Sequence, residues 1–148
     1  MLTRVAVIAD THDRLPAALV ERIAAADQIW HLGDVCAPET LQPLRATKMP
    51  PLTIVRGNCD VCPDWPMTRS LEMCGMRICL VHIPPRRPPG GFDLVLHGHT
   101  HVPRNERVSS VLFLNPGCVT RPNRGAPASF AWLELDEESS PRWQLELL

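Results

Sequence analysis

Eight side chains in this sequence are of types that do chemistry together: Asp10 and His12, Asp34, Asn58 and Asp60, His82, and the pair His99 and His101. All are oxygen or imidazole donors. Each has an ordinary explanation when taken alone, since Asp10 could cap a helix, Asn58 could make a turn and His82 could sit hydrogen-bonded in a core. Their positions argue against eight separate explanations, because they cluster directly after apolar, β-branched runs. If those runs are parallel strands, their carboxyl ends share one edge of a sheet. A crowd of carboxylates and imidazoles buried there is costly unless a cation neutralises it. The donor mixture contains no thiolate, which suits Mn, Fe, Zn or Ni over a soft metal.

The elements that must hold these residues are legible in outline. Val5-Ala6-Val7-Ile8-Ala9 is apolar throughout, as expected of a strand covered on both faces, and it ends at Asp10. Leu15, Leu19, Val20 and Ile23 recur at helical spacing between Pro16 and about Ala26, with Pro16 near the helix start. A second strand, Gln28 to Leu32, ends at Gly33-Asp34. A short helix from Pro38 to Leu44 precedes a third strand, Leu52 to Val55, which ends at Arg56-Gly57-Asn58. Alternating strands and helices of this kind predict a parallel α/β sheet with its ligands beyond the strand carboxyl ends. The second half is strand-rich. Ser70 to Cys74 and Met76 to His82 read as a hairpin about Gly75; Phe92 to Leu96 leads into Gly98-His99-Thr100-His101; Val111 to Leu114, Phe130 to Leu135 and Trp143 to Leu147 are further strands. No repeat and no linker interrupts the chain, so 1–148 reads as a single domain.

Fifteen basic and sixteen acidic residues give a net charge of -1, which excludes a basic surface for non-specific binding to nucleic acid or anionic lipid. No stretch approaches the roughly 20 apolar residues of a membrane span. The first residues lack the features of a signal peptide, so the expected location is cytoplasmic. In such a compartment the six cysteines are not expected to form disulfides. Two other cysteine readings are open at this stage: a four-thiolate zinc site from Cys59, Cys62, Cys74 and Cys79, or a redox pair from Cys59 and Cys62.

In order and spacing the motifs resemble those of the calcineurin-like metallophosphoesterases, and within them the small bacterial and archaeal phosphodiesterases. Asp10-Thr11-His12 matches the family's D-x-H, Gly33-Asp34 its G-D, Gly57-Asn58-Cys59-Asp60 its G-N-x-D, His82 its lone histidine and Gly98-His99-Thr100-His101 its G-H-x-H. Asn115-Pro116-Gly117 with Arg121-Pro122 is similar to a further motif of the small subgroup. The resemblance implies a four-layer αββα sandwich of two mixed β-sheets flanked by helices. It also implies a site for two divalent metal ions, manganese by preference and iron, zinc or nickel otherwise. One ion would take Asp10, His12 and His101, the other Asn58, His82 and His99, with Asp34 bridging. The implied reaction is hydrolysis of a small phosphodiester or activated phosphate ester by a metal-bound hydroxide, with Asn58, Cys59 and Asp60 at the reacting centre and Arg56 and Arg121 as phosphate contacts. His31 and His97 fall outside the motifs and are expected to be structural.

Three departures from the family pattern sharpen these expectations. Cys59 stands where many relatives place a histidine that protonates the leaving group, which favours substrates with good leaving groups. Asp13 and Ile83 replace common glycines and crowd the rim. Between His82 and His99, where the family usually has a helix, lies Pro84-Pro85-Arg86-Arg87-Pro88-Pro89-Gly90-Gly91, so a stiff loop from Pro84 to Gly91 is expected instead. The expected partner is a small phosphorylated molecule, and a homo-oligomer is compatible with the sequence. The rival expectation is a catalytically weak scaffold of the same fold that binds a protein; it is disfavoured because scaffolds tend to lose metal ligands and here every ligand position is filled.

Overall fold

Every residue of the run Val5 to Ala9 is buried, and the alternation of its side chains explains why. In the computed structural model, which describes residues 1–148, Val5, Val7 and Ala9 point into one apolar core while Ala6 and Ile8 point into another. A strand covered on both faces needs no polar alternation. This strand, β1 (Thr3–Ile8), is central in a five-stranded sheet. It pairs in parallel with β2 (Gln28–His31), which pairs in parallel with β3 (Leu52–Ile54). On its other side lie the antiparallel strands β9 (Ser129–Asp136) and β10 (Ser139–Leu147). The second sheet has the order β4-β5-β6-β8-β7, made by β4 (Thr68–Met73), β5 (Met76–Val81), β6 (Leu94–Leu96), β7 (Arg104–Val108) and β8 (Val111–Asn115). Both sheets are mixed.

The two sheets pack face to face. Val7, Trp30, Leu32 and Val55 from the first meet Ile78, Leu80, Leu96 and Leu114 from the second in one core. On the far face of the first sheet, Leu19 and Ile23 of α1 (Ala17–Ile23) and Leu41 and Leu44 of a 3₁₀ helix (Pro38–Arg45) cover Ala6, Ile8 and Ile29. Helix α1 is shorter than the periodicity predicts. The chain leaves it at Ala24 to return to β2, and Asp27 is fastened to Arg4 by hydrogen bonds in both directions. The segment after Pro38 is 3₁₀ rather than α, with Pro43 inside it; proline has no N–H to donate and its ring opposes the α-helical carbonyl one turn back.

No helix covers the far face of the second sheet. Cys79, Val95, Val111 and Phe113 form a small buried cluster there, closed by Phe92 and by the Arg104 guanidinium, which lies 4.4 Å above the Phe113 ring. Residues 82–93 run across this side without a helix, as the proline content predicts. The strand absent from the sequence reading is β7. Its sequence, Arg-Asn-Glu-Arg-Val, has almost no apolar signal because it is an edge strand held by pairing to β8 alone. Charged residues on such an edge also discourage pairing with other chains. The sandwich predicts that Trp30→Ala, which empties a fully buried position between the sheets, lowers unfolding free energy by about 3–5 kcal/mol in urea titrations.

Candidate metal centre

The carboxyl ends of β1, β2, β3, β5 and β6 carry all seven expected ligands. Backbone hydrogen bonds fasten the loops to one another: Asp10 N–H donates to Gly33 at 3.0 Å, His12 N–H to the Asp34 carbonyl at 3.0 Å, and Gly98 N–H to the His82 carbonyl at 3.1 Å. The ligand residues sit in conformations that side chains seldom adopt. Asp10, His12, Asp34, His99 and His101 have φ of 56°, 42°, 60°, 72° and 60°. Each costs roughly 1–3 kcal/mol and persists only where the surroundings hold it.

Asp60 is a large part of what holds it. One of its carboxylate oxygens accepts from the N–H groups of Asp34 (2.8 Å) and Gly57 (2.7 Å), and the other accepts from Cys36 N–H at 2.8 Å. Both oxygens are therefore engaged with backbone. Gly57 has no alternative, because a β-carbon there would land on the Asp34 backbone nitrogen and carboxylate. At Gly98 a β-carbon would come within 2.9 Å of Asp10 Oδ2. The glycines of the motifs are thus the places where ligand loops touch.

The imidazoles are oriented by backbone carbonyls. His82 Nδ1–H donates to the Leu32 carbonyl at 2.7 Å, and His101 Nδ1–H donates to the Arg121 carbonyl at 2.6 Å. Each ring consequently presents the lone pair of Nε2 to the centre. His82 Nε2 lies 3.2 Å from Asp34 Oδ2 and 3.8 Å from Asp10 Oδ1; His101 Nε2 lies 3.3 Å from Asp10 Oδ1. His12 Nε2 is 3.7 Å from Asp34 Oδ2, 3.8 Å from Asp10 Oδ1 and 3.4 Å from His101 Nε2. Asp10 Oδ1 and His82 Nε2 are buried without any hydrogen-bond partner. Beside them His99 Nδ1 approaches Asn58 Oδ1 at 3.1 Å, and the His82 and His99 rings lie 5.3 Å apart. Asn58 and His99 are exposed, so this half of the centre faces solvent.

The electrostatics express the same crowding. Burial pushes the Asp10 carboxyl up to about 6, against the pull of His82 and His101. Burial alone would raise Asp34 too, but the His82 ring, the Cys59 N–H and His12 together hold it well below the usual carboxylate range. Burial lowers His12, and the neighbouring His101 and the Arg121 guanidinium lower it further. Burial would lower His82, but Asp34 and Asp10 raise it above the ordinary imidazole value, so a cation placed among these groups would take the place of a proton. The donor set therefore fits a hard or borderline divalent metal.

The remaining expected residues divide. Cys59 is exposed at the rim and its N–H donates to Asp34 Oδ1 at 2.9 Å. Arg121 stands near His12. The Arg56 guanidinium group is turned to Met67 Sδ at 3.2 Å and borders a cavity of about 250 Å³ with Asn58, His82 and Ile83. A larger cavity of about 530 Å³ is bounded by Pro84, His99, Thr100, Arg104 and Arg124. Asp13 does not enter the centre; its Oδ1 accepts from Ala37 N–H at 2.7 Å. His31 and His97 are structural as expected. His31 joins Thr11 Oγ1 to Gly33 N–H, His97 joins the Gly98 carbonyl to Arg104, and burial lowers them to about 3 and about 4.

The four-thiolate alternative fails on placement. Cys62 packs against the helix-side core, Cys74 against the core between the sheets, and Cys79 on the far face of the second sheet. The residue missing from the sequence reading is Cys36, whose Sγ lies 3.5 Å from His12 Nδ1. The available signal was its position two residues after Asp34.

Comparison with known proteins agrees with the site. A family model described as a calcineurin-like phosphoesterase superfamily domain matches residues 3–138. A probable metallophosphoesterase of Methanocaldococcus jannaschii is 33% identical, the match covering 80% of this chain and 69% of that protein. Phosphodiesterase YfcE of Escherichia coli is 30% identical, covering 86% of this chain and 85% of its own. Its solved structure, described as that of a phosphoesterase, superposes with a TM-score of 0.77 at 24% identity over 95% of this chain and 98% of that one. The zinc complex of Vps29 from Entamoeba histolytica gives 0.75 at 22% identity over 99% and 98%, a likeness of fold. By family model, by relatives and by the arrangement of its Asp, Asn and His side chains, this chain belongs to the calcineurin-like phosphoesterase superfamily.

Proposed function

We propose that the chain is a divalent-metal-dependent phosphodiesterase acting on a small phosphodiester or activated phosphate ester. The observation that carries this reading is the pair of buried, unpartnered acceptors, Asp10 Oδ1 and His82 Nε2, within a ring of further lone pairs from Asp34, His12 and His101. Acceptors facing acceptors without a proton or cation between them cost several kcal/mol. Asp10, His12 and His101 would hold one cation and Asn58, His82 and His99 the other, with Asp34, whose Oδ2 faces His12 and His82, shared between them. Such a pair, manganese by preference, supplies an activated water and neutralises charge on the phosphate oxygens.

The chain's own residues provide orientation. The carbonyls of Leu32 and Arg121 fix two imidazoles with their lone pairs inward. Asn58 can coordinate through its carbonyl while its amide faces the substrate. Arg121, close to His12, and Arg56, which borders the smaller cavity, both lack a carboxylate partner and are the candidate phosphate contacts. The two cavities beside His99 and Asn58 leave room for both ester substituents. Asp60, with both oxygens on backbone N–H groups, acts as a positioning residue for the Asp34 and Asn58 loops and not as a reacting group.

The second reading, a scaffold that binds a protein partner, rests on Cys59 in place of an acid histidine. The presence of every ligand type, with Asp10, His12, Asp34 and His101 already gathered, supports the hydrolase over it.

Manganese-loaded protein is expected to hydrolyse bis(p-nitrophenyl) phosphate, and Asp34→Asn to lose more than about a hundredfold, beyond the range usual for residues that only support a ligand. Absence of turnover with each of Mn, Ni, Co and Zn would refute the hydrolase reading. Asp60→Ala should weaken manganese binding about 10–100-fold in equilibrium dialysis, with Asp60→Asn in between, because one amide oxygen is retained. Introducing an acid at the rim by Cys59→His should raise turnover of an alkyl phosphate relative to the aryl diester by at least about tenfold.

A further inference from the structure

His12 has two ring nitrogens and the centre described above uses one. Nε2 faces Asp10, Asp34 and His101, whereas Nδ1 points to Cys36 Sγ at 3.5 Å. Cys59 completes a cluster: one donor atom from each of His12, Cys36 and Cys59 lies within 4.8 Å of the other two. These thiols are free, Cys59 exposed and Cys36 half-buried. Burial, together with Asp13, Asp34 and Asp60, pushes the Cys36 thiol up to about 11, so a cation bound there must displace its proton.

We propose that Cys36, Cys59 and His12 Nδ1 form a separate thiolate site for a zinc-like cation, lying beside the oxygen and imidazole centre and competing with it for His12. The metal-ligand distances support this. With Zn–N of about 2.0–2.1 Å and Zn–S of about 2.3 Å, a tetrahedral ion has N···S edges of about 3.6 Å and an S···S edge of about 3.8 Å. The His12–Cys36 separation already has that length. Cys59, on an exposed turn, needs only a side-chain adjustment. Three protein donors leave the fourth position open to water, so the site is not a structural staple. The soft donors separate it in metal preference from the hard centre a few ångströms away.

The proton balance follows from the tautomers. Binding one divalent cation releases the two thiol protons. The His12 proton moves to Nε2, where the Asp10 and Asp34 carboxylates lie 3.8 and 3.7 Å away. His12 is then unavailable as a neutral ligand to the hard centre. A thiophilic cation at this rim therefore displaces one ligand from the neighbouring site, which gives zinc-type ions a route to control it. This inference is independent of whether the centre hydrolyses phosphodiesters.

The test is a cadmium titration of the reduced, metal-free full chain, followed by ultraviolet sulfur-to-metal charge transfer. A band saturating at one cadmium per chain is expected. Cys36→Ser and Cys59→Ser should each weaken cadmium binding at least tenfold and remove most of the band, while Cys62→Ser should retain it. In the unmodified chain cadmium should also protect Cys36 and Cys59 from iodoacetamide, read by mass spectrometry, which requires no variant to fold. Absence of the band, its survival in both serine variants, or equal protection of Cys62 would overturn the proposal. A chain that hydrolyses diesters yet shows no band would leave the phosphoesterase reading standing and remove this one.

Discussion

The arrangement of the whole molecule depends on one electrostatic constraint: carboxylates and imidazoles from several separate loops converge on one space, and two of their buried atoms have no hydrogen-bond partner. Asp10 Oδ1 and His82 Nε2 are buried and unpartnered, and the Nε2 atoms of His12 and His101 point at the same space. Backbone carbonyls have taken the Nδ1 protons of His82 and His101, so those rings cannot relieve the crowding in their neutral forms. A cation is the simplest group that satisfies every member at once. Much of the surrounding structure keeps these groups from turning away.

That restraint is built from backbone as much as side chains. Asp60 gathers the N–H groups of Asp34, Cys36 and Gly57 into one carboxylate, which ties the loops after β2 and β3 together. Gly57 and Gly98 permit contacts that a β-carbon would block. Five of the seven ligands hold a left-handed backbone. Strain of this kind is tolerable because the strands behind it are covered on both faces and cannot yield. The face-to-face packing of the two sheets is thus what makes a strained edge affordable.

The side of the molecule without a helix shows how little is needed to cover a small apolar face. Phe92 and the stacked guanidinium of Arg104 close the cluster around Phe113. The proline-rich segment continues past this face to Pro84, at the border of the larger cavity beside His99. Proline fixes φ and removes backbone donors, so such a segment can be ordered without being helical. The approach to the exposed half of the centre is therefore shaped by a loop.

By itself the sequence determined the strands of the buried cores, the order of the donor residues and the family to which they belong, because fully covered strands and metal ligands both demand particular residue types. Asp10, His12, Asp34, Asn58, His82, His99 and His101 are readable for that reason, as is the absence of a helix across Pro84 to Gly91. Tertiary structure alone decided matters that depend on partners far along the chain. β7 exists through its pairing with β8, and its charged residues give no signal of their own. Asp60 reads as a member of a catalytic motif, yet its oxygens are committed to backbone groups, two of them some 25 residues away. Cys36 reads as one cysteine among six, and only folding brings its sulfur to the unused nitrogen of His12. Residue type announces what a side chain can do; which atom of it is left free to act is set by the contacts that occupy the others.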